Sequence, residues 1–228
     1  MYKRQSLLSI FGGLLLLLFV KDGPFRTKSK VFNISSCFNV FKNVEFKKAS
    51  FGYFGHMWEL YAFWTFVPVL LLMYQKTHLD VVFNISLLSF VIIAVGSISC
   101  ILSGYISEKL GVKKTAIGFL FLSCLCCLLS PLMFYQPNKT LFIIFLIFWG
   151  MVVIADSPLL STLVAKNAPS ENKGTALTIV NCIGFAITII SIQLLSTLQI
   201  SSTSNFVFMI LAIGPILGLN ALRRKSAL

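Results

Sequence analysis

The sequence predicts an all-α fold, a polytopic helix bundle inside a membrane, and three observations predict it. Its 228 residues have a mean hydropathy of +0.89, with 57% apolar and only 11% charged residues, whereas a soluble domain carries roughly a quarter charged residues. The apolar residues are gathered into runs of bilayer length, about 20 residues of helix being needed to cross the hydrocarbon. Those runs are continuous rather than alternating, which favours helices over barrel strands, the only other structure that satisfies its own backbone in lipid. An ordinary cytosolic globule and a disordered chain are both excluded.

Residues 6–20 form a short apolar run, and residues 1–20 read as a partial transmembrane helix. Tyr2-Lys3-Arg4 ahead of the run looks like the start of a signal peptide. No small-residue cleavage site separates it from Lys21-Asp22-Gly23-Pro24, so the segment reads instead as the end of a helix whose first part is missing. Residues 21–50 are the one long linker. In it Phe32, Ile34, Phe38, Phe41, Val44 and Phe46, set among Lys and Asn, fit either a helix lying in the headgroup layer or a solvated tether. Residues 51–222 then hold six spans, at 51–74, 83–105, 115–135, 141–164, 175–198 and 205–222, and residues 223–228 form a tail.

Short connections make successive spans antiparallel, so the cations report on sidedness. Of the 19 Lys and Arg, 15 fall on one side: seven in residues 21–50, then Lys109, Lys113, Lys114, Lys166, Lys173, Arg223, Arg224 and Lys225. Lys3, Arg4, Lys76 and Lys139 fall on the other. The long linker and the C-terminus are therefore expected in the cytoplasm, in a multi-pass protein of the plasma membrane, a bacterium's inner membrane. The net charge of +12 becomes a topology signal, and nucleic acid is not an expected partner.

Five of the six Cys lie inside apolar runs, and the Cys124-Leu125-Cys126-Cys127 cluster has no second ligand pair or His at zinc spacing. They read as small side chains facing lipid or other helices, and no metal site or cofactor is expected. Of the seven acids, Glu59 and Asp156 sit inside spans. Each costs about 2.5–3.5 kcal/mol at a helix centre on insertion scales, so such residues face a bundle interior or a water-filled path. His56 lies one turn before Glu59. With a rise of 1.5 Å per residue, Glu59, Asp156 and Asn181 fall in one slab roughly 5–8 Å to the cytoplasmic side of the midplane, with His56 one turn further out.

His56 and Glu59, at i and i+3, project from one helix face, with Gly52, Gly55 and Phe63 near the same stripe. The pair reads as a solute or proton pathway, as a packing His–Glu hydrogen bond, or as metal ligands, although no second such pair completes a di-metal shell. Asp156-Ser157-Pro158 couples an acid to a helix breaker, which suits either a gating hinge at Pro158 or an acid that caps a broken helix. Asn181 reads equally as a pathway residue or as an interhelical hydrogen bond. Trp64 completes the set, too near mid-span for an interfacial belt.

Gly104-Tyr-Ile-Ser-Glu108-Lys109-Leu-Gly111-Val-Lys113-Lys114 resembles the loop signature of the major facilitator superfamily, G-x-x-x-[DE]-[RK]-x-G-[RK]-[RK], with Val112 shifting the cations by one place. The stretch from Gly52 to Tyr61, with Ala155-Asp156-Ser157-Pro158, is similar to a bacterial subgroup of general permeases. The resemblance covers nearly the whole chain and implies the C-terminal half of such a transporter: the end of helix six, the central loop and helices seven to twelve. It implies a gating loop of Gly104, Glu108, Lys109, Gly111, Lys113 and Lys114, in which Glu108 and the cations form a cytoplasmic charge relay. It also places His56, Glu59 and Asp156 on helices that line a central cavity. The expected activity is secondary transport of a small-molecule substrate by alternating access, coupled to a proton or another ion. The expected partners are the lipid bilayer and a missing N-terminal half or a second copy. A membrane enzyme or metal carrier using His56, Glu59 and Asp156 is the alternative. Nothing in the chain is a nucleotide-binding loop.

Overall fold

The computed structural model describes residues 2–20, 39–170, 173–201 and 204–224. It divides into two compact units, Met1–Ile34 and Ser35–Leu228. In the first, Tyr2–Phe19 is a single helix whose apolar part, Ser6–Phe19, is shorter than a membrane span. Phe32, Ile34 and Phe38, expected in an interfacial helix, lie outside the described residues.

The second unit is all helical among the described residues and holds six spans: Val44–Thr77, Ile85–Leu110, Val112–Phe134, Lys139–Asn167, Lys173–Ile200 and Asn205–Arg223. Side-chain caps start four of them. Asn43 accepts from the amides of Glu45 and Phe46, Asn84 from Leu87, Asn138 from Thr140 and Leu141, and Ser204 from Phe206. Each satisfies amides that the first helical turn leaves without partners.

The first span begins at Val44, seven residues before the start read from hydropathy. Its first turns are charged, with Lys48 Nζ 2.7 Å from Glu45 Oε1, and a scan for apolar residues passes over them. Phe41 lies in a short 3₁₀ turn, Val40–Lys42, while Val44 and Phe46 belong to the span.

This first span is the hub of the bundle and packs against all five others. Small residues let the sixth span approach most closely. A Cβ added at Gly55 would collide with the carbonyl oxygen of Gly214, and one added at Gly214 would collide with that of Gly55. Trp58 Nε1 donates to Ile210 O at 3.2 Å on the same seam. On the fifth span, Thr188 Oγ1 donates to Met57 O at 3.2 Å, beside Gly184. At the far end of the first span, Tyr74 stacks on Phe142 at 4.1 Å and donates to Gln136 O at 2.6 Å.

Two spans are interrupted. The second breaks at Val95, between Ile85–Ala94 and Gly96–Leu110, and the fourth at Asp156, between Lys139–Ala155 and Ser157–Asn167. The two interruptions face each other, with Gly96 against Ile154 and Gly150 against the carbonyl of Ile92. Pro158 has no N–H for the carbonyl of Ile154, its partner four residues back. The Cys100 thiol reaches that oxygen at 3.6 Å, and Ser99 Oγ donates to Met151 O at 2.6 Å. The second span thus covers polar backbone that the break in the fourth exposes.

Candidate functional site

The helix of the first span puts His56 and Glu59 on one side, and the break in the fourth span turns Asp156 toward them. His56 Nδ1 lies 2.8 Å from Asp156 Oδ1. Relative exposure is 1% for His56, 1% for Glu59 and 0% for Asp156, so all three are sealed from solvent. The His56–Asp156 contact is a close approach of opposite charge types rather than an aligned hydrogen bond. Among the described residues, His56 Nε2 and both oxygens of Asp156 have no hydrogen-bond partner. Unspent capacity of this kind is costly in a low-dielectric interior.

Glu59 does not bond to His56. Trp149 Nε1 donates to its Oε1 at 2.8 Å, Cys127 Sγ reaches the same oxygen at 3.2 Å, and Ser123 Oγ lies 2.9 Å from Oε2. Trp149 is itself fully buried, with its ring 4.6 Å from that of Phe63. The third and fourth spans therefore grip one carboxyl group of the first. Asp156 makes no side-chain cap on the helix that follows it, so the capping reading of this acid does not hold. Leu160 N donates to Asp156 O at 2.8 Å, and Pro158 occupies the first turn of that helix.

Asn181 and Trp64 stand away from this group. Asn181 is exposed and, with Tyr53, Ser161, Thr162 and Leu177, lines a cavity of about 400 Å³ between the first, fourth and fifth spans. Trp64 is half-buried, packs edge-on against Tyr61 at 5.4 Å, and has no partner for Nε1 among the described residues. Five residues separate it from Glu59, which turns it to another face of the helix.

The segment from Gly104 to Lys114 is almost wholly helical. Gly111 alone separates Gly96–Leu110 from Val112–Phe134, with φ +85°. Glu108, Lys109, Lys113 and Lys114 are exposed. Glu108 makes no ion pair among the described residues; instead Lys113 Nζ lies 3.8 Å from Glu45 Oε2 at the start of the first span. A Cβ at Gly104 would meet nothing within 4 Å, so no close helix approach requires a glycine there. Gly111→Ala is expected to destabilise the bundle by about 1–3 kcal/mol, because that backbone region is open essentially to glycine alone. Gly104→Ala is expected to leave stability unchanged or raise it by up to about 1 kcal/mol. Thermal unfolding of both in detergent micelles checks the contrast.

No three His, Cys, Asp or Glu side chains gather into a metal-holding group among the described residues. A family model of the Major Facilitator Superfamily matches residues 5–192.

The chain belongs to the Major Facilitator Superfamily. No curated protein matches it. As a facilitator with six membrane-length helices, it is a multi-pass membrane protein of a transport family, whose setting is the bilayer and whose ligand is a small molecule. Within this facilitator the sequence points to His56, Glu59 and Asp156 and misses Ser123, Cys127 and Trp149. Two signals were available. Ser123 and Cys127 stand at i and i+4 on one helix face, and Trp149 lies seven residues, two turns, before Asp156 on the same stripe.

Proposed function

We propose that this facilitator is a secondary active transporter that moves a small solute by alternating access and couples it to proton movement. The supporting observation is the His56–Asp156 pair, two ionisable groups 2.8 Å apart, buried at the break of a span. An ionisable group in hydrocarbon is expensive and is retained where it handles a ligand or an ion. The break gives the fourth span two short helices that can reorient about Asp156. Protonation of Asp156 or Glu59 removes a charge from the bundle interior and permits closure; loss of the proton restores the charge and disfavours it.

The proposed sidedness, with residues 21–50 and the tail in the cytoplasm of a plasma membrane, is supported by the cations, 15 against 4. Rocking requires a second six-helix body, either an N-terminal half or another copy of this chain. Exposed Lys113 and Glu45, 3.8 Å apart, sit where the second connection meets the first span. An exposed pair of this kind contributes at most about 1 kcal/mol, so it biases a gate and does not lock it.

In vesicles carrying the full protein, an imposed proton gradient is expected to drive solute movement. In Glu59→Gln and Asp156→Asn that flux is expected to fall at least about tenfold, the rate equivalent of about 1.4 kcal/mol. Solute exchange at equal pH on both sides is expected to survive. Unchanged gradient-driven flux in both variants would overturn the coupling.

A further inference from the structure

The hydrogen-bond geometry around Glu59 distinguishes its two oxygens. Oε1 meets the Trp149 indole N–H at 2.8 Å and the Cys127 thiol at 3.2 Å. The indole is a donor only, so Oε1 is held as an acceptor. Oε2 meets Ser123 Oγ at 2.9 Å, and that same hydroxyl lies 3.1 Å from the carbonyl oxygen of Leu120. A serine hydroxyl has one hydrogen, and here two oxygens lie in reach of it. The Leu120 carbonyl can only accept. Oε2 is the one neighbour able to carry a proton and donate it.

We propose that Oε2 of Glu59 is a proton-binding atom and that Ser123 is its positioning residue, a hydroxyl that reverses direction as the proton comes and goes. With the proton on Oε2, the carboxyl O–H donates to Ser123 Oγ, and Ser123 donates to Leu120 O. Oε1 keeps both of its donors, and each contact has one hydrogen. When the proton leaves for water, the Ser123 hydrogen turns from Leu120 O to Oε2. The carboxylate then accepts from Trp149, Cys127 and Ser123 together. No bond other than O–H breaks, and the proton is the only species released. Side-chain hydroxyls of helical serines readily bond to the carbonyl three or four residues back, at a small cost to the helix, so the resting direction is open to the third span.

The ionisable groups around this carboxyl are His56 on its own helix, Cys124, Cys126 and Cys127 on the third span, and Asp156 on the fourth. The thiols lie on the helix that carries Ser123, and Cys127 touches Oε1 directly. Its S–H stretch is therefore a built-in reporter of charge on Glu59, because a thiol donates more strongly to a carboxylate than to a neutral acid. The site's use rests on the transport reading above, whereas the protonation is an equilibrium property that needs no flux.

Infrared difference spectra of the purified protein, titrated from acid to base, test the assignment. A protonated-carboxyl C=O band is expected that disappears in Glu59→Gln, accompanied by an S–H shift that disappears in Cys127→Ala. In Ser123→Ala the band is expected at higher frequency, its O–H having lost its acceptor; Ser123→Thr, which keeps a hydroxyl, is expected to retain the native frequency. A band unaffected by Glu59→Gln would overturn the proposal, as would a band that Ser123→Ala leaves in place. If either occurs while Glu59→Gln still abolishes proton-driven flux, the hydroxyl switch is wrong and the transport reading stands. If the band behaves as expected while flux is untouched by Glu59→Gln, the proton site stands and the transport reading falls.

Discussion

Asp156→Leu is expected to destabilise the six-span unit by about 3–5 kcal/mol, the usual cost of leaving one member of a buried ionisable pair without its partner. The geometry makes the loss asymmetric. His56 Nδ1 has Asp156 as its close neighbour at 2.8 Å, and His56 Nε2 has no partner among the described residues. Without Asp156 the buried imidazole loses its one close partner and keeps only the more distant Glu59 carboxyl and the Tyr53 ring. The double variant His56→Leu/Asp156→Leu is expected to recover most of that loss, because two apolar side chains of similar volume remove the desolvation cost along with the attraction. A double-mutant cycle by unfolding in mixed micelles measures the coupling. Costs that simply add would show that the two side chains do not depend on one another. Both single variants and the double are expected to lose proton-driven flux, so stability and activity separate in the double variant.

The second large effect concerns the seam between the first and sixth spans. Gly55 and Gly214 present their backbones to each other, and a Cβ on either would run into the carbonyl oxygen of the other. A carbonyl in a helix cannot move aside as a side-chain tip can. Gly55→Ala and Gly214→Ala are therefore each expected to cost about 1–3 kcal/mol, the range for overpacking, and Gly55→Leu is expected to prevent assembly. Gly118→Ala is the matched control: it lies in a helix with nothing within 4 Å of the added atom, and its expected cost is nil. Protease resistance and thermal unfolding in micelles compare the three alanine variants. Because His56 is the next residue after Gly55, the same substitution is expected to weaken the His56–Asp156 approach and lower flux.

The spans were legible because hydrocarbon selects strongly on composition: six apolar runs are also six membrane-length helices. Their ends were less so. The first span extends back to Val44 because Asn43 caps it and Glu45 pairs with Lys48, and a hydropathy window does not weigh such local polar contacts. The connection around Gly111 contracts to one residue for the same reason, charged side chains continuing both helices into the headgroup region.

At the site, burial cost alone singles out Glu59 and Asp156, and helical spacing adds His56. Spacing also suggests a His56–Glu59 partnership, yet His56 goes to Asp156, one hundred residues on, and Glu59 to Ser123, Cys127 and Trp149. Those choices depend on how three helices rotate against one another, a packing property that no single helix encodes. Asn181 shows what depth leaves open. It matches the others in height along the fifth span, but height does not fix azimuth, and the residue lines the cavity beside Tyr53, Ser161 and Thr162 rather than the group around Glu59.

The first span is the most buried of the six and also the least apolar, whereas the second is strongly apolar and has less than a fifth of its most apolar stretch buried. That inversion leads to an expectation about how the chain enters a membrane during synthesis. A helix carrying His56, Glu59, Gly52, Gly55, Ser50 and Thr65 partitions weakly into lipid on its own. The second span follows after a connection of only a few residues and partitions strongly, so the two are expected to insert as a hairpin in which the outer helix carries the inner one. The first span then waits in lipid with its polar groups uncovered until the third and fourth spans emerge and supply Ser123, Cys127, Trp149 and Asp156. A chain truncated after the second span, lacking those partners, is expected to be degraded faster than one truncated after the fourth, which pulse-chase labelling checks.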